Sequence, residues 1–164
     1  MPDCSSLDDL KPLEERAVQP YFSNRLQLAD VIGWCLRQCG PADIMISTFS
    51  TSEEFLRRLY RFKASGLVRR CDLFCDLRAI RKTMVLYDFI RSVCSSVFLC
   101  ENHSKVVLIS DGVRYVSVIT TQNQTRGNRY ECGLITTDRR AFSSLSSSLS
   151  SLSEKSLSLD DLQR

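Results

Sequence analysis

The chain has 164 residues, of which 43% are hydrophobic and 25% charged, and a formal net charge of +3 at pH 7. This is the length and balance of one soluble globular domain with its own hydrophobic core. No apolar run is long enough to cross a bilayer, and a charge this mild does not by itself mark a nucleic-acid binder. The first residues, MPDCSSLDDL, are acidic and lack the apolar segment of a secretory signal, so the expected compartment is the cytoplasm.

Residues 1–23 are polar, carry Pro2, Pro12 and Pro20, and read as an N-terminal extension. A helix follows, with Leu28, Val31, Ile32, Cys35, Leu36 and Cys39 at three- and four-residue steps, and Gly40-Pro41 stops it. Asp43 to Phe49 reads as a buried strand. Thr51-Ser-Glu-Glu54 has the form of a capping box and opens a second helix, ended by Gly66. Val68 to Leu77 alternates as a strand, and a third helix is predicted from about Ile80 to Val93.

After Val93 the pattern turns to strands: Val97 to Glu101, Lys105 to Ser110, Arg114 to Thr120 and Glu131 to Thr137, with Asp111-Gly112 as a hairpin signal. The order predicts an α/β fold: a mixed, mostly parallel sheet flanked by helices over residues 24–140. The tail, residues 141–164, is rich in Ser and Leu. Phe142, Leu145, Leu149, Leu152 and Leu159 fit a heptad spacing in it, which predicts a marginal amphipathic helix needing a partner surface, against disorder from low complexity.

The eight cysteines fall among apolar residues and read as small buried hydrophobes rather than zinc ligands. Ten Lys and Arg residues between Arg57 and Arg91 read as a solvated face, or alternatively as a basic rim for a polyanion.

The chain's single histidine, His103, stands two residues before Lys105 and an apolar run. On a strand, that spacing places an imidazole and an ammonium on one face, a nucleophile or acid beside a fixed cation for phosphate oxygens. Downstream, the segment from Thr120 to Glu131 offers hydroxyl, amide and carboxylate groups.

His103-Ser-Lys105 before Val-Val-Leu-Ile resembles the His-x-Lys strand of the phospholipase D superfamily. Thr121-x-Asn123, followed by Thr-Arg-Gly-Asn-Arg-x-Glu131, resembles that superfamily's Gly-Ser-x-Asn segment and later glutamate. The resemblance implies a phospholipase D-like half-domain and a phosphodiesterase that needs no metal or cofactor. It acts through a phosphohistidine on His103, with Lys105 and Asn123 holding the phosphate, Thr121 assisting and Glu131 orienting an imidazole. Small single-motif members resemble endonucleases, so the implied partner is DNA or RNA, with Arg126 and Arg129 as substrate contacts and Arg139 and Arg140 as further cations. No membrane partner is implied.

Three features depart from the family pattern. Asp111 follows Lys105 after five residues instead of four, Thr120-Thr121 replaces Gly-Ser, and there is one motif copy where the chemistry uses two histidines. A single copy implies a homodimer with the two His103 side chains meeting on the axis. The alternative is a catalytically impaired nucleic-acid-binding or interaction module on the same fold.

Overall fold

The computed structural model describes residues 6–124 and 127–163. Among them, eight strands form one sheet: β1 (Val18–Ser23), β2 (Ala42–Thr48), β3 (Val68–Asp76), β4 (Ser96–Cys100), β5 (Val106–Ser110), β6 (Tyr115–Thr120), β7 (Glu131–Thr136) and β8 (Leu157–Ser158). Their spatial order is β1-β7-β6-β5-β2-β3-β4-β8. Helices α1 (Leu28–Leu36), α2 (Glu53–Ala64), α3 (Ile80–Val85), α4 (Tyr87–Val93) and α5 (Arg139–Glu154) flank it.

The α/β class and the mixed sheet agree with the sequence, but the sheet is mostly antiparallel. Only β2–β3 and β3–β4 pair parallel; the other neighbours among the described strands run antiparallel. The reason lies in the connections. A parallel neighbour needs a crossover long enough to carry a helix, and α2 and the α3–α4 pair supply it after β2 and β3. From β5 onward no helix intervenes before β7. The β5–β6 link is a short turn in which Gly112, at φ 95°, takes the left-handed conformation that side-chain-bearing residues avoid.

Local differences have local causes. Val18–Ser23, expected within an extension, is the edge strand beside β7. Its period of two is hard to read because Gln19 and Ser23 accompany Tyr21 on the buried side. Pro20 fits an edge, where its missing N–H breaks no ladder. The cap of α2 is Ser52, whose Oγ accepts from Phe55 N at 3.2 Å; Thr51 instead bridges Gln124. The single predicted helix over Ile80–Val93 is interrupted at Leu86, and neither Gly nor Pro explains the break.

The sheet is covered on both faces. On one, Val107 and Ile109 of β5 join Ile32, Leu56, Ile90 and their neighbours from α1, α2 and α4. On the other, Val106 and Leu108 pack with Leu149 of α5, joined by Phe142, Leu145 and Leu152. Each such buried side chain contributes about 1.5–3 kcal/mol. The predicted heptad residues of the tail thus find their partner surface within the chain. Asp138 caps α5 by accepting from Arg140 N and Ala141 N at 2.7 and 2.9 Å.

Cys35, Cys71, Cys75, Cys94 and Cys100 are buried, whereas Cys39 is half-buried and Cys132 exposed. Burial pushes the Cys35 and Cys75 thiols well above their ordinary value. Cys4 lies outside the described residues. Among the described residues, no helix is long and apolar enough to cross a membrane.

Candidate functional site

The strand order dictates where His103 goes. β4 and β5 are consecutive in the chain, yet β3 and β2 lie between them. The link must cross three strand spacings, about 14 Å, while six residue steps reach at most roughly 20 Å. The crossing therefore cannot be helical, since six helical steps cover only about 9 Å. It passes over the carboxyl ends of the parallel strands, where open α/β sheets bind their ligands.

Side chains from both crossed strands fasten the link. The Asp76 carboxylate, fully buried at the end of β3, accepts from Asn102 N at 2.9 Å. Asn102 Nδ2 donates to Ser47 Oγ on β2 at 2.7 Å. Ser104 donates to Asn102 Oδ1 from its backbone N at 3.0 Å and from Oγ at 2.6 Å. His103, between these anchored neighbours, is exposed. Among the described residues its ring makes no hydrogen bond and rests tilted against the Phe49 ring, with centroids 5.7 Å apart.

Lys105 is half-buried, and its Nζ donates to His103 O at 3.2 Å. The expected strand from Lys105 begins instead at Val106, so the two residues do not share a strand face. What links them is this hydrogen bond, together with Thr120 N donating to Lys105 O at 3.1 Å, which extends the β5–β6 ladder by one step.

The loop after β6 is anchored from two sides. Tyr21 OH donates to Gln122 Oε1 at 2.8 Å and lies 3.0 Å from Thr120 Oγ1, while Gln122 Nε2 donates to Leu26 O at 2.7 Å. Burial drives the Tyr21 hydroxyl far above its ordinary pKa, so it remains a donor. The ring fits because its β7 neighbour is Gly133, where an added Cβ would sit 2.4 Å from it. On the other side Ser52 Oγ donates to Gln124 O at 2.7 Å. Between these anchors Asn123 lines a cleft with Gln27, Gln122, Asn128, Arg129 and Glu131. Its Oδ1 is buried without a hydrogen-bond partner among the described residues.

His103, Lys105, Thr121, Asn123, Arg129 and Glu131 thus all sit at one end of the sheet, beyond the carboxyl ends of β2, β3 and β6 and before β5 and β7. Within that end they form two groups. Thr121 Oγ1 donates to Glu131 Oε2, and Asn123, Arg129 and Glu131 share the cleft. His103 and Lys105 are not among its lining residues, and no hydrogen bond joins Glu131 to His103 among the described residues. Arg126 lies outside the described residues.

Other expected cations are elsewhere or engaged. Arg139, with its guanidinium 4.8 Å over the Tyr115 ring, and Arg140 stand at the opposite end of the sheet. In the basic stretch, Arg57, Arg58, Arg69, Arg70, Arg78 and Arg91 each pair with a carboxylate. Arg78 stands out from them by position: its guanidinium lies over the same Phe49 ring that His103 touches. No pattern of residues sets it apart from its basic neighbours in the chain.

Asp111 is at the far end of β5. Its Oδ1 accepts from Val113 N and Arg114 N, and its Oδ2 from Gly40 N at 3.0 Å. The backbone donors of Arg114 and Gly40 hold its pKa at about 2.

No protein-family model and no curated protein sequence matches the chain. Solved structures do. Nuc from Salmonella typhimurium, a phospholipase D family member, superposes with a TM-score of 0.69 at 16% identity, over 86% of this chain and 96% of that one. The chain has the phospholipase D-like fold. NucT from Helicobacter pylori gives a TM-score of 0.64 at 14% identity, over 87% and 99% of the two chains. TrmBL2, an archaeal chromatin protein that binds DNA, gives 0.59 at 8% identity, over 88% of this chain and 54% of its own. The phospholipase D-like fold accounts for the link over β2 and β3, since that link follows from the strand order.

Proposed function

We propose that this protein is a phosphodiesterase that cleaves nucleic acid, with His103 as nucleophile. The observation that carries the reading is the contrast within three residues: Asn102 and Ser104 are locked by buried partners, while the His103 imidazole between them is exposed and without a hydrogen bond among the described residues. A fixed backbone presenting an unused imidazole is what a nucleophile requires.

In this mechanism a ring nitrogen of His103 attacks phosphorus, and the bond to the leaving oxygen breaks as a second imidazole protonates it. Water, losing its proton to that second imidazole, then attacks the phosphorus of the phosphohistidine; the P–N bond breaks, freeing His103 and the terminal phosphate of the product. Lys105 and Arg129 compensate the phosphate charge, as Arg126 would, and the Asn123 amide hydrogen-bonds its oxygens. Thr121 holds Glu131, the carboxylate assigned to an imidazole in this reading, although within one chain it makes no hydrogen bond to His103 among the described residues. The second imidazole is the partner subunit's His103, brought in by a two-fold homodimer. Supporting that assembly, the sheet face that carries α5 leaves Val18, Phe22 and Ile119 exposed, and the exposed Tyr130 stacks on Phe22 at 5.3 Å. A contiguous apolar patch of this kind fits a subunit contact.

The test is incubation of the purified protein with plasmid and single-stranded DNA in EDTA, with its mass measured in solution. Cleavage by a dimer is expected, and His103→Ala should lower it about a thousandfold or more while DNA binding and melting temperature are retained. Cleavage that survives His103→Ala refutes the nucleophile. A non-catalytic DNA-binding module is the second reading, favoured by Asp111 being engaged in a turn and by the fold's use in TrmBL2. DNA binding without any cleavage by the unaltered protein would select it.

A further inference from the structure

Arg78 is an exposed cation that shares the Phe49 ring and the Asp76 carboxylate with the His103 turn, and it lies outside the residues that carry the family resemblance. It sits just after β3 in a short 3-10 turn, Leu77–Ala79. Its side chain is 73% exposed, yet it is not loosely held. Nε donates to Asp76 Oδ1 at 3.1 Å, and the backbone N of Arg78 donates to the same oxygen at 2.8 Å. The guanidinium also lies 5.7 Å from the centroid of Phe49.

The other oxygen of Asp76 accepts from Asn102 N, the residue before His103. One buried carboxylate and one aromatic ring therefore fix the guanidinium and the imidazole relative to each other. Among the described residues, the hydrogen bonds of the Arg78 side chain run through Nε, and Asp76 is covered beneath it. A polyanion approaching from solvent meets the planar fork, not the carboxylate. Glu101 is the second carboxylate close enough to act on Arg78.

We infer that Arg78 binds a phosphate flanking the one at His103, so that the protein recognises a polynucleotide strand rather than an isolated phosphodiester. The inference rests on the reading of the His103 end as the nucleic-acid face. The geometry sets the scale: both groups lie 5.7 Å from the Phe49 ring, hence within about 11 Å of each other, and the phosphate charges of one strand recur every ~3.4 Å of helix axis. A stretch of a few nucleotides spans both. A guanidinium held from behind by a carboxylate suits this task, because less of its freedom is lost when phosphate binds.

The experiment measures binding of a fluorescent oligothymidylate of about twelve nucleotides across a salt series, for the unaltered protein and for Arg78→Ala and Arg69→Ala. Arg69 carries the same charge but pairs with Asp43 at the opposite end of the sheet. Arg78→Ala should weaken binding roughly tenfold and reduce the salt slope by about 0.7, whereas Arg69→Ala should change neither measurably. Arg78→Gln, which keeps a donor for Asp76 and loses the charge, reads the same change should the alanine variant unfold. Equal effects of the Arg78 and Arg69 variants overturn the inference. So does an equal loss of affinity for a dinucleoside monophosphate, which has no flanking phosphate, and so does absence of oligothymidylate binding by the unaltered protein. These are binding readouts, so protein that binds but does not cleave sinks the nuclease reading while leaving this one open to the same measurements.

Discussion

The two ends of β5 carry turns of similar length built in opposite ways. Before the strand, the polar side chains that face inward belong to Asn102 and Ser104, and the side chain between them points to solvent. After it, Asp111 turns its own carboxylate onto three backbone N–H groups and leaves no acceptor idle. The first turn uses neighbouring residues to hold itself and frees His103; the second uses the very residue that the family motif would make functional. Asp111, one position late for the family pattern, is a structural cap, while His103 is supported by Ser47 and Asp76 through its two neighbours. The difference teaches that support for a site can come from strands that the motif does not mention, here β2 and β3.

That contrast can be broken most forcefully at Asp76. Asp76→Ala removes the acceptor for Asn102 N and for Arg78, leaving a buried donor unpaired, and should cost about 2–3 kcal/mol in chemical denaturation. A variant as stable as the parent would show that the turn holds without β3. Gly133→Ala comes next. The new Cβ cannot share space with the Tyr21 ring, so the ring must leave Thr120 and Gln122, at about 2 kcal/mol, and oligonucleotide affinity should fall with it. Unchanged stability together with unchanged affinity would disconnect Tyr21 from the Asn123 loop.

Asp111→Asn is expected to cost less, about 1 kcal/mol, without loss of nucleic-acid binding. Its signature is pH. The folded-state pKa of Asp111 is depressed to about 2, so its contribution is complete above the ordinary carboxylate range near pH 4 and is lost as pH falls toward 2. The stability gap between the parent and Asp111→Asn should close over that interval. A gap that persists at pH 2 would mean that the turn gains nothing from the charge.

Much of the architecture was legible in the residues. The spacing of Leu28, Val31, Ile32, Cys35 and Leu36 marked α1, the β-rich runs marked β2, β5 and β6, the alternation of Cys71, Leu73 and Cys75 marked β3, and Asp-Gly marked the β5–β6 hairpin. Strand direction was less legible, because periodicity reports which side of an element is apolar and nothing about its neighbour. β1 was hidden for a related reason: Gln19 and Ser23 are buried polar residues, Gln19 bonded to Lys11 eight residues back and Ser23 paired with Glu131 of the distant β7, so no apolar alternation betrays the strand. The members of the candidate site were legible one by one as residue types at family spacing. Their division into a His103–Lys105 group and a Thr121–Asn123–Glu131 group was not.

By itself the sequence determined the elements, their apolar faces and the phosphate-suited residue types, since these depend on local conformation and on side-chain chemistry. Only the tertiary structure decided that β3 and β2 lie between β4 and β5. That order stretches the His103 turn across two strand ends, brings Asp76 beneath it and sets Arg78 on the same ring as the histidine. Such contacts join residues about 25 or more positions apart, and they exist only because the sheet places those residues side by side.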